Sequence, residues 1–259
     1  PSLSALLACA VSAARKAGDH ALKHKGRRLR VVKTFQHDVK LRLDMECQSI
    51  AEGTIRSRFP GHLVFGEESA APDQIPGAAG ALQWVIDPID GTVNYSHGLP
   101  WWCCSVAVRR GPTVLAGAVY APEVHELYTA SLGGKALKNG RLIHVSAVRQ
   151  PDKAMILTGL DKKVTPTKPP LGIFAALSSR VQKTRILGSA ALDLCQVASG
   201  RADGYFEAGI YLWDVAAAGL IVRMAGGRAD ILRHIDRSRL CFVASNGYLH
   251  KSLVQIVGS

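Results

Sequence analysis

Leu82-Gln83-Trp84-Val85-Ile86-Asp87-Pro88-Ile89-Asp90-Gly91-Thr92 runs from an apolar strand into a glycine turn and places two carboxylates three residues apart. Residues 82–86 read as a short, mostly apolar strand. Pro88 fixes its own φ and disfavours the helical region for Asp87, so the chain is expected to leave the strand there without entering a helix. Asp87 and Asp90 then face one small volume, and Gly91 lets the backbone pass close to whatever fills it. Carboxylates held that close repel unless a cation or a proton lies between them. All-oxygen ligands suit a hard divalent ion, Mg2+ where water and phosphate complete the shell. For the dipeptide alone, an Asp-Pro turn with a capping Asp accounts for the same residues.

The chain has 259 residues, 47% of them hydrophobic and 20% charged, the make-up of an ordinary globular protein. That length suffices for one large domain or two interlocked ones. It holds no apolar run of about 18 residues, so no helix is expected to span a membrane. Residues 1–14 are apolar and alanine-rich, lack a basic start and lead into Arg15-Lys16, and so read as an amphipathic helix and not a signal peptide. Cys9, Cys47, Cys103, Cys104, Cys195 and Cys241 are scattered without metal-ligand spacing. They read as buried thiols of a reducing compartment, which makes the cytoplasm the expected location.

The formal net charge of +12 is the oddity of the composition. Much of it lies between Arg15 and Arg42, including His24-Lys25-Gly26-Arg27-Arg28-Leu29-Arg30. Such a field favours anionic ligands and speeds their arrival, and it also suits nucleic-acid or membrane-surface contact. No aromatic residue interleaves the tract to stack on bases, so a solvated basic face is the simpler reading and nucleic acid is not the expected partner.

Periodicity predicts helices over residues 3–25, with Leu3, Leu6, Leu7, Ala10, Val11 and Ala14 on one stripe, and over 45–58. Strands follow at 63–65, 103–108, 114–120 and 126–130, an α+β and mostly antiparallel first half, with a loop at 70–80. The second half alternates: strand 154–158, a Pro- and Lys-rich loop 161–170 expected to be mobile, helix 171–179, strand 183–187, helix 190–199, strand 204–207 and an apolar helix over 215–224. A boundary near residue 145 divides the chain into halves 1–145 and 146–259, the first carrying most of the candidate ligands and the second Asp214 and the substrate pocket. The fold class is α/β.

Several acids stand where elements end or begin: Glu67 after a strand, Asp87 and Asp90 at the turn, and Asp214 at a helix start, where capping alone would favour it. Gly91-Thr92 and Gly188-Ser189 look like two further helix starts able to receive a phosphate through free N–H groups. Gly66-Glu67-Glu68-Ser69, Trp84 to Tyr95 (Trp-Val-Ile-Asp-Pro-Ile-Asp-Gly-Thr-Val-Asn-Tyr), and Trp213-Asp214-Val215-Ala216-Ala217-Ala218-Gly219 through Ala225-Gly226-Gly227 occur in that order. Together they resemble the inositol monophosphatase family, over nearly the whole chain.

The resemblance implies a layered αβαβα sugar-phosphatase fold in two intimately packed halves, with the site at their junction. It implies that Glu67, Asp87, Asp90 and Asp214, with the Ile89 carbonyl, hold two or three Mg2+ ions. Thr92, backed by Asp44 and with Glu67, would orient and deprotonate the attacking water, and the Gly91 and Thr92 N–H groups would hold phosphate oxygens. Ser189 and Ala190 would line the sugar pocket, Glu207 would accept hydrogen bonds from ring hydroxyls, and Lys33 would lie near metal and phosphate. The implied reaction is hydrolysis of a small phosphate monoester, first inositol 1-phosphate, otherwise 3'-phosphoadenosine 5'-phosphate, fructose 1,6-bisphosphate or histidinol phosphate, by a homodimer inhibited by lithium. The apolar Trp101-Trp102 run suits either a dimer contact or the core. One departure stands out: the family's Asp-x-Val-Thr-x-x-Asp reads Asp38-Val39-Lys40-Leu41-Arg42-Leu43-Asp44, with leucine for threonine, and a changed surround of this kind shifts substrate preference or metal affinity. The rival of another class is a polyanion- or RNA-binding protein using the basic N-terminal face.

Overall fold

Small side chains let the first helix lie close to what it covers. Helix α1 (Leu3–Lys23) is capped by the Ser2 hydroxyl, which accepts the Ala5 N–H at 3.2 Å, and its buried face is Leu6, Cys9, Ala10, Ala13, Ala14, Ala17 and Ala21. The computed structural model describes residues 1–28, 31–35, 38–68, 80–160, 169–236 and 239–258, with no side-chain description for 31–35, 38–40 and 169–170. A hairpin of β1 (Val31–Phe35) and β2 (Asp38–Leu41) leads into α2 (Arg42–Arg58). That helix starts three residues earlier than the sequence suggests, because the Asp44 carboxylate accepts the Leu41 N–H at 2.7 Å and caps it from within.

The first sheet follows: β3 (Leu63–Gly66), β4 (Leu82–Asp90), then helix α3 (Thr92–His97), β5 (Cys103–Arg110), β6 (Thr113–Ala121), β7 (Glu126–Ser131), β8 (Leu137–Lys138) and β9 (Arg141–Leu142). Its strands lie in sequence order, β3 and β4 parallel and every other pair antiparallel. The second part runs β10 (Met155–Thr158), α4 (Pro169–Ser178), β11 (Lys183–Arg185), α5 (Ala190–Ala198), β12 (Gly204–Tyr211), α6 (Leu212–Met224), β13 (Arg228–His234), β14 (Arg239–Ser245) and α7 (His250–Val257). Its five strands are ordered β11-β10-β12-β14-β13.

Alternation along the strands builds the layers. Trp84 and Ile86 of β4 and Cys104, Val106 and Val108 of β5 pack with the alanine face of α1 and with α2. Val85, Cys103 and Ala107 point the other way, onto a core with α5, α6 and the inner residues Leu157, Tyr205 and Phe242 of the second sheet. The outer face of that sheet, Ile156, Phe206 and Val243, packs on α4 and α7 through Leu177, Leu249 and Leu253. The architecture is therefore the αβαβα stack that the resemblance implies. Cys103 and Cys104 face opposite layers, which is why these buried, free neighbours do not pair. Trp102 is buried in the core, and the half-buried Trp101 donates its indole N–H to Asp193.

The decisive stretch differs from its reading in one respect. The chain does not leave the strand at Asp87: β4 runs on to Asp90, with Asp87 opposite Ser105 and Asp90 opposite Cys103. Three steps on β4 against two on β5 make a bulge, and a bulge is where a strand tolerates a residue without an N–H such as Pro88. Strand β12 extends past Glu207 to Tyr211, and β8, β9, β13, β14 and α7 have no counterpart in the sequence reading. Residues 69–79 and 161–168, most of the two expected loops, lie outside the described residues.

Glycines mark how tightly the layers meet. A Cβ on Gly117 of β6 would lie 2.8 Å from the Ala217 Cα of α6, whereas one on the exposed Gly53 of α2 would meet nothing within 4 Å. Gly117→Ala is expected to cost about 1–3 kcal/mol by overpacking. Gly53→Ala is expected to gain about 0.5–1 kcal/mol by restricting the unfolded chain. Urea unfolding of the two variants checks both signs.

Candidate active site

Three loci of the fold converge on one cavity of about 330 Å³. Glu67 follows β3, and its N–H extends the β3–β4 pairing to the Ile86 carbonyl at 3.1 Å. Asp87 and Asp90 come from the bulged end of β4. Asp214 sits in the first turn of α6, where its carboxylate accepts the Tyr211 N–H at 2.8 Å. One carboxylate oxygen each from Asp87, Asp90 and Asp214 lies within 4.8 Å of the others.

Asp87 is 1% exposed, and its Oδ1 is buried without a hydrogen-bond partner among the described residues. Burial, then the charges of Glu67, Asp90 and Asp214, push its carboxyl well above the usual carboxylate range. Such an oxygen is satisfied by a proton or by a cation, and the all-oxygen donor set fits a hard divalent metal. Asp90 is pushed up by burial too, but the Ser189 hydroxyl and the Ala191 and Ala190 N–H groups pull it down. Its Oδ2 accepts from Ser189 Oγ and Ala191 N, both at 2.7 Å, and its Oδ1 from Ala190 N at 3.2 Å.

Asp90 thus caps α5 across 100 residues of sequence. The sequence offers this helix start to a phosphate; in the structure its N–H groups are given to a protein carboxylate, and Ser189 and Ala190 line the cavity from behind it. Ile89, Gly91, Thr92 and Glu207 line the cavity as well. Gly91 has φ +92°, and a Cβ there would be 2.9 Å from the Trp101 carbonyl oxygen, so glycine is required twice over. Thr92 Oγ1 donates to the Ile89 carbonyl at 2.9 Å. Asp44 is 2% exposed at the start of α2 and does not line the cavity. The Lys33 side chain lies outside the described residues.

Four residues were not singled out by sequence reasoning. Asn94 Nδ2 bridges the Trp101 and Leu187 carbonyls, each at 2.8 Å, and so ties α3 to the turn before α5. Asp193 lines the cavity, with burial pushing its carboxyl up against the pull of the Trp101 hydrogen bond. Tyr205 lines it and donates to Glu207, and Gly159 makes room for that carboxylate. Asp193 could have been found: it stands three residues after Ala190 on a helix, hence on the same face. The pairing of Tyr205 with Glu207 follows the two-residue strand period.

The model of the inositol monophosphatase family matches residues 2–255. The chain belongs to the inositol monophosphatase family. It is 39% identical over 230 residues to the Nus factor SuhB of Pasteurella multocida, covering 87% of this chain and 84% of that protein. Among solved structures it is similar to the extragenic suppressor protein suhB of Bartonella henselae, with TM-score 0.87, 29% identity and 98% of each chain covered. The inositol monophosphatase of Anabaena (Nostoc) sp. PCC 7120 aligns with TM-score 0.85, 31% identity and 99% and 96% coverage. An inositol monophosphate-bound SaIMPase-II aligns with TM-score 0.79, 26% identity and 96% and 93% coverage. Family members are metal-dependent phosphatases, and the acidic cluster described here could hold a metal. No described helix is long and apolar enough to cross a membrane.

A divalent cation that binds only the folded cluster stabilises it by about 2.7 kcal/mol at a hundredfold excess over its Kd. Calorimetry of chelator-treated protein is therefore expected to show Tm rising by about 5–10 °C on adding the cation. Asp87→Asn, which removes the negative charge and replaces one carboxylate oxygen by an NH2, is expected to abolish most of that rise while leaving the metal-free protein at least as stable.

Proposed function

We propose that the chain is a Mg2+-dependent phosphatase that hydrolyses a small phosphate monoester, inositol 1-phosphate first. The observation that carries this reading is the buried Asp87 oxygen without a hydrogen-bond partner among the described residues, within a converging set of acids, in a chain whose family is that of the inositol monophosphatases. Glu67, Asp87, Asp90, Asp214 and the Ile89 carbonyl are the proposed ligands of two or three ions. When bound, Mg2+ supplies charge neutralisation to the phosphate and lowers the pKa of coordinated water.

The rest is the work of the chain. Because the Thr92 hydroxyl donates to Ile89, its oxygen is left to accept from an attacking water and fix that water's direction. Glu67, at the cavity, is the proposed acceptor of the proton. Asp44, buried at the start of α2, is proposed to support Thr92, and Lys33 to lie near the phosphate. The Gly91 and Thr92 N–H groups hold phosphate oxygens, while Ser189, Ala190 and Glu207 face the leaving group. Halves 1–145 and 146–259 meet at this site, one supplying most ligands and the other Asp214 and the pocket. A homodimer, lithium inhibition and a cytoplasmic location complete the reading, the last consistent with six buried free thiols.

A second reading, binding of RNA or another polyanion through the basic N-terminal face, draws on the net charge of +12 and on relatives bearing the name Nus factor SuhB. Arg27 and Arg42 of that face are both paired with Glu46. Steeply salt-dependent RNA affinity without phosphatase turnover favours it.

Phosphate release at fixed Mg2+ from inositol 1-phosphate, 3'-phosphoadenosine 5'-phosphate, fructose 1,6-bisphosphate and histidinol phosphate tests the first reading. Wild type is expected to turn over at least one, and Asp90→Asn to lower kcat at least about a hundredfold, a loss of ~2.7 kcal/mol. No turnover of any by wild type sinks it.

A further inference from the structure

Strand β3 is an edge strand among the described residues, and Glu67, which lines the cavity, is the residue just beyond it. The Glu67 N–H bonds to the Ile86 carbonyl of β4 at 3.1 Å, so the next N–H, that of Glu68, faces away from β4. Gln48 of α2 takes it: Gln48 Oε1 accepts from Glu68 N at 2.7 Å, and Gln48 Nε2 donates to Glu52 Oε1 at 2.9 Å. Gln48 is 4% exposed. A Cβ on Gly66 would lie 2.4 Å from its Cδ and Oε1, so the amide rests against the strand end where glycine leaves it room.

The backbone on both sides of the Glu67 Cα is thereby fixed, one N–H to β4 and the next to α2, and with it the direction in which the Glu67 side chain leaves the chain. That direction has to be held against a force, because Glu67 is close enough to Asp87 for the two charges to repel. We propose that Gln48 is a positioning residue: it anchors the turn that presents Glu67, and so sets the affinity of the acidic cluster for a divalent cation. This rests on the metal-dependent phosphatase reading above and goes beyond it, since that reading gives roles to Glu67 and Asp44 and none to Gln48. Gln48 stands four residues after Asp44 in α2, so one face of that helix carries both proposed supports. Removing a group that orients a metal ligand from behind costs roughly 10–100-fold in metal affinity or activity. A ligand already held in place needs no reordering when the cation arrives.

Calorimetry of chelator-treated protein titrated with Mg2+ alone reads binding without turnover. Three proteins are compared. Beside wild type stand Gln48→Met, which keeps the volume and removes the acceptor, and the exchange of Gln48→Glu with Glu52→Gln, which keeps an acceptor for the Glu68 N–H and reverses the bond behind it. Gln48→Met is expected to need about tenfold more Mg2+ for the wild-type rise in Tm. The exchanged pair is expected to need no more than about threefold the wild-type concentration. A role in packing alone would lower the metal-free Tm and leave the Mg2+ requirement where it was. An unchanged requirement in Gln48→Met, or one that the exchanged pair does not bring back toward wild type, overturns the proposal. Should Gln48→Met not fold, Gln48→Asn, which withdraws the amide by one methylene, is read in its place by the same criteria. Wild type whose Tm does not respond to Mg2+ overturns the metal reading itself, a result distinct from a response that Gln48 does not influence.

Discussion

The Asp90 carboxylate has to satisfy a helix and a cavity at once, and the arrangement of the site follows from that. Its three hydrogen bonds close the N-terminus of α5, whose first N–H groups would otherwise be buried donors without acceptors. Negative charge at that end also meets the positive end of the helix dipole. Because Asp90 belongs to the first sheet and α5 to the layer between the sheets, the bond set fixes where the second sheet's share of the cavity lies. Hydrogen bonds to a charged group contribute roughly 1.5–3 kcal/mol each. They offset part of the cost of burying a carboxylate beside Asp87 and Asp214.

Close backbone approach supports this junction. Asn94 draws the Trp101 and Leu187 carbonyls together, and Gly91 stands between Trp101 and Gly188 where a side chain would force them apart. The same economy of side-chain volume recurs on α1, faced with alanines, and at Gly117 beneath α6. Thin interfaces leave the layers few ways to slide, and a fixed junction holds acidic groups at distances that bare repulsion would widen.

Much of this could be read from the chain. Asp87, Asp90, Asp214 and Glu67 are legible because acids at element boundaries break the pattern of apolar runs, whereas the layered stack is implied only by the family resemblance, since β4 is buried from Gln83 to Asp90 and shows no polar alternation. The bulge at Pro88 was not legible, since a missing N–H ends a strand or is absorbed in it depending on the neighbouring strand's register. The capture of the α5 start by Asp90 was not legible either, because the partners are about a hundred residues apart and helix starts look alike in sequence whatever fills them. Asp193 was overlooked for a different reason. A single acid in the first turn of a helix is unremarkable until the wall it faces is known.

Gly159 makes the chain's history directional. Its missing side chain is the seat of the Glu207 carboxylate, so the two positions are not free to drift independently. A lineage can shorten or lose the acid first and fill the glycine afterwards. The reverse order passes through an ancestor in which a methyl group and a carboxylate contend for one space. Descendants that have filled position 159 would therefore regain an acid at 207 only with its carboxylate turned to another rotamer, and the pocket regained by that route would differ from the one lost.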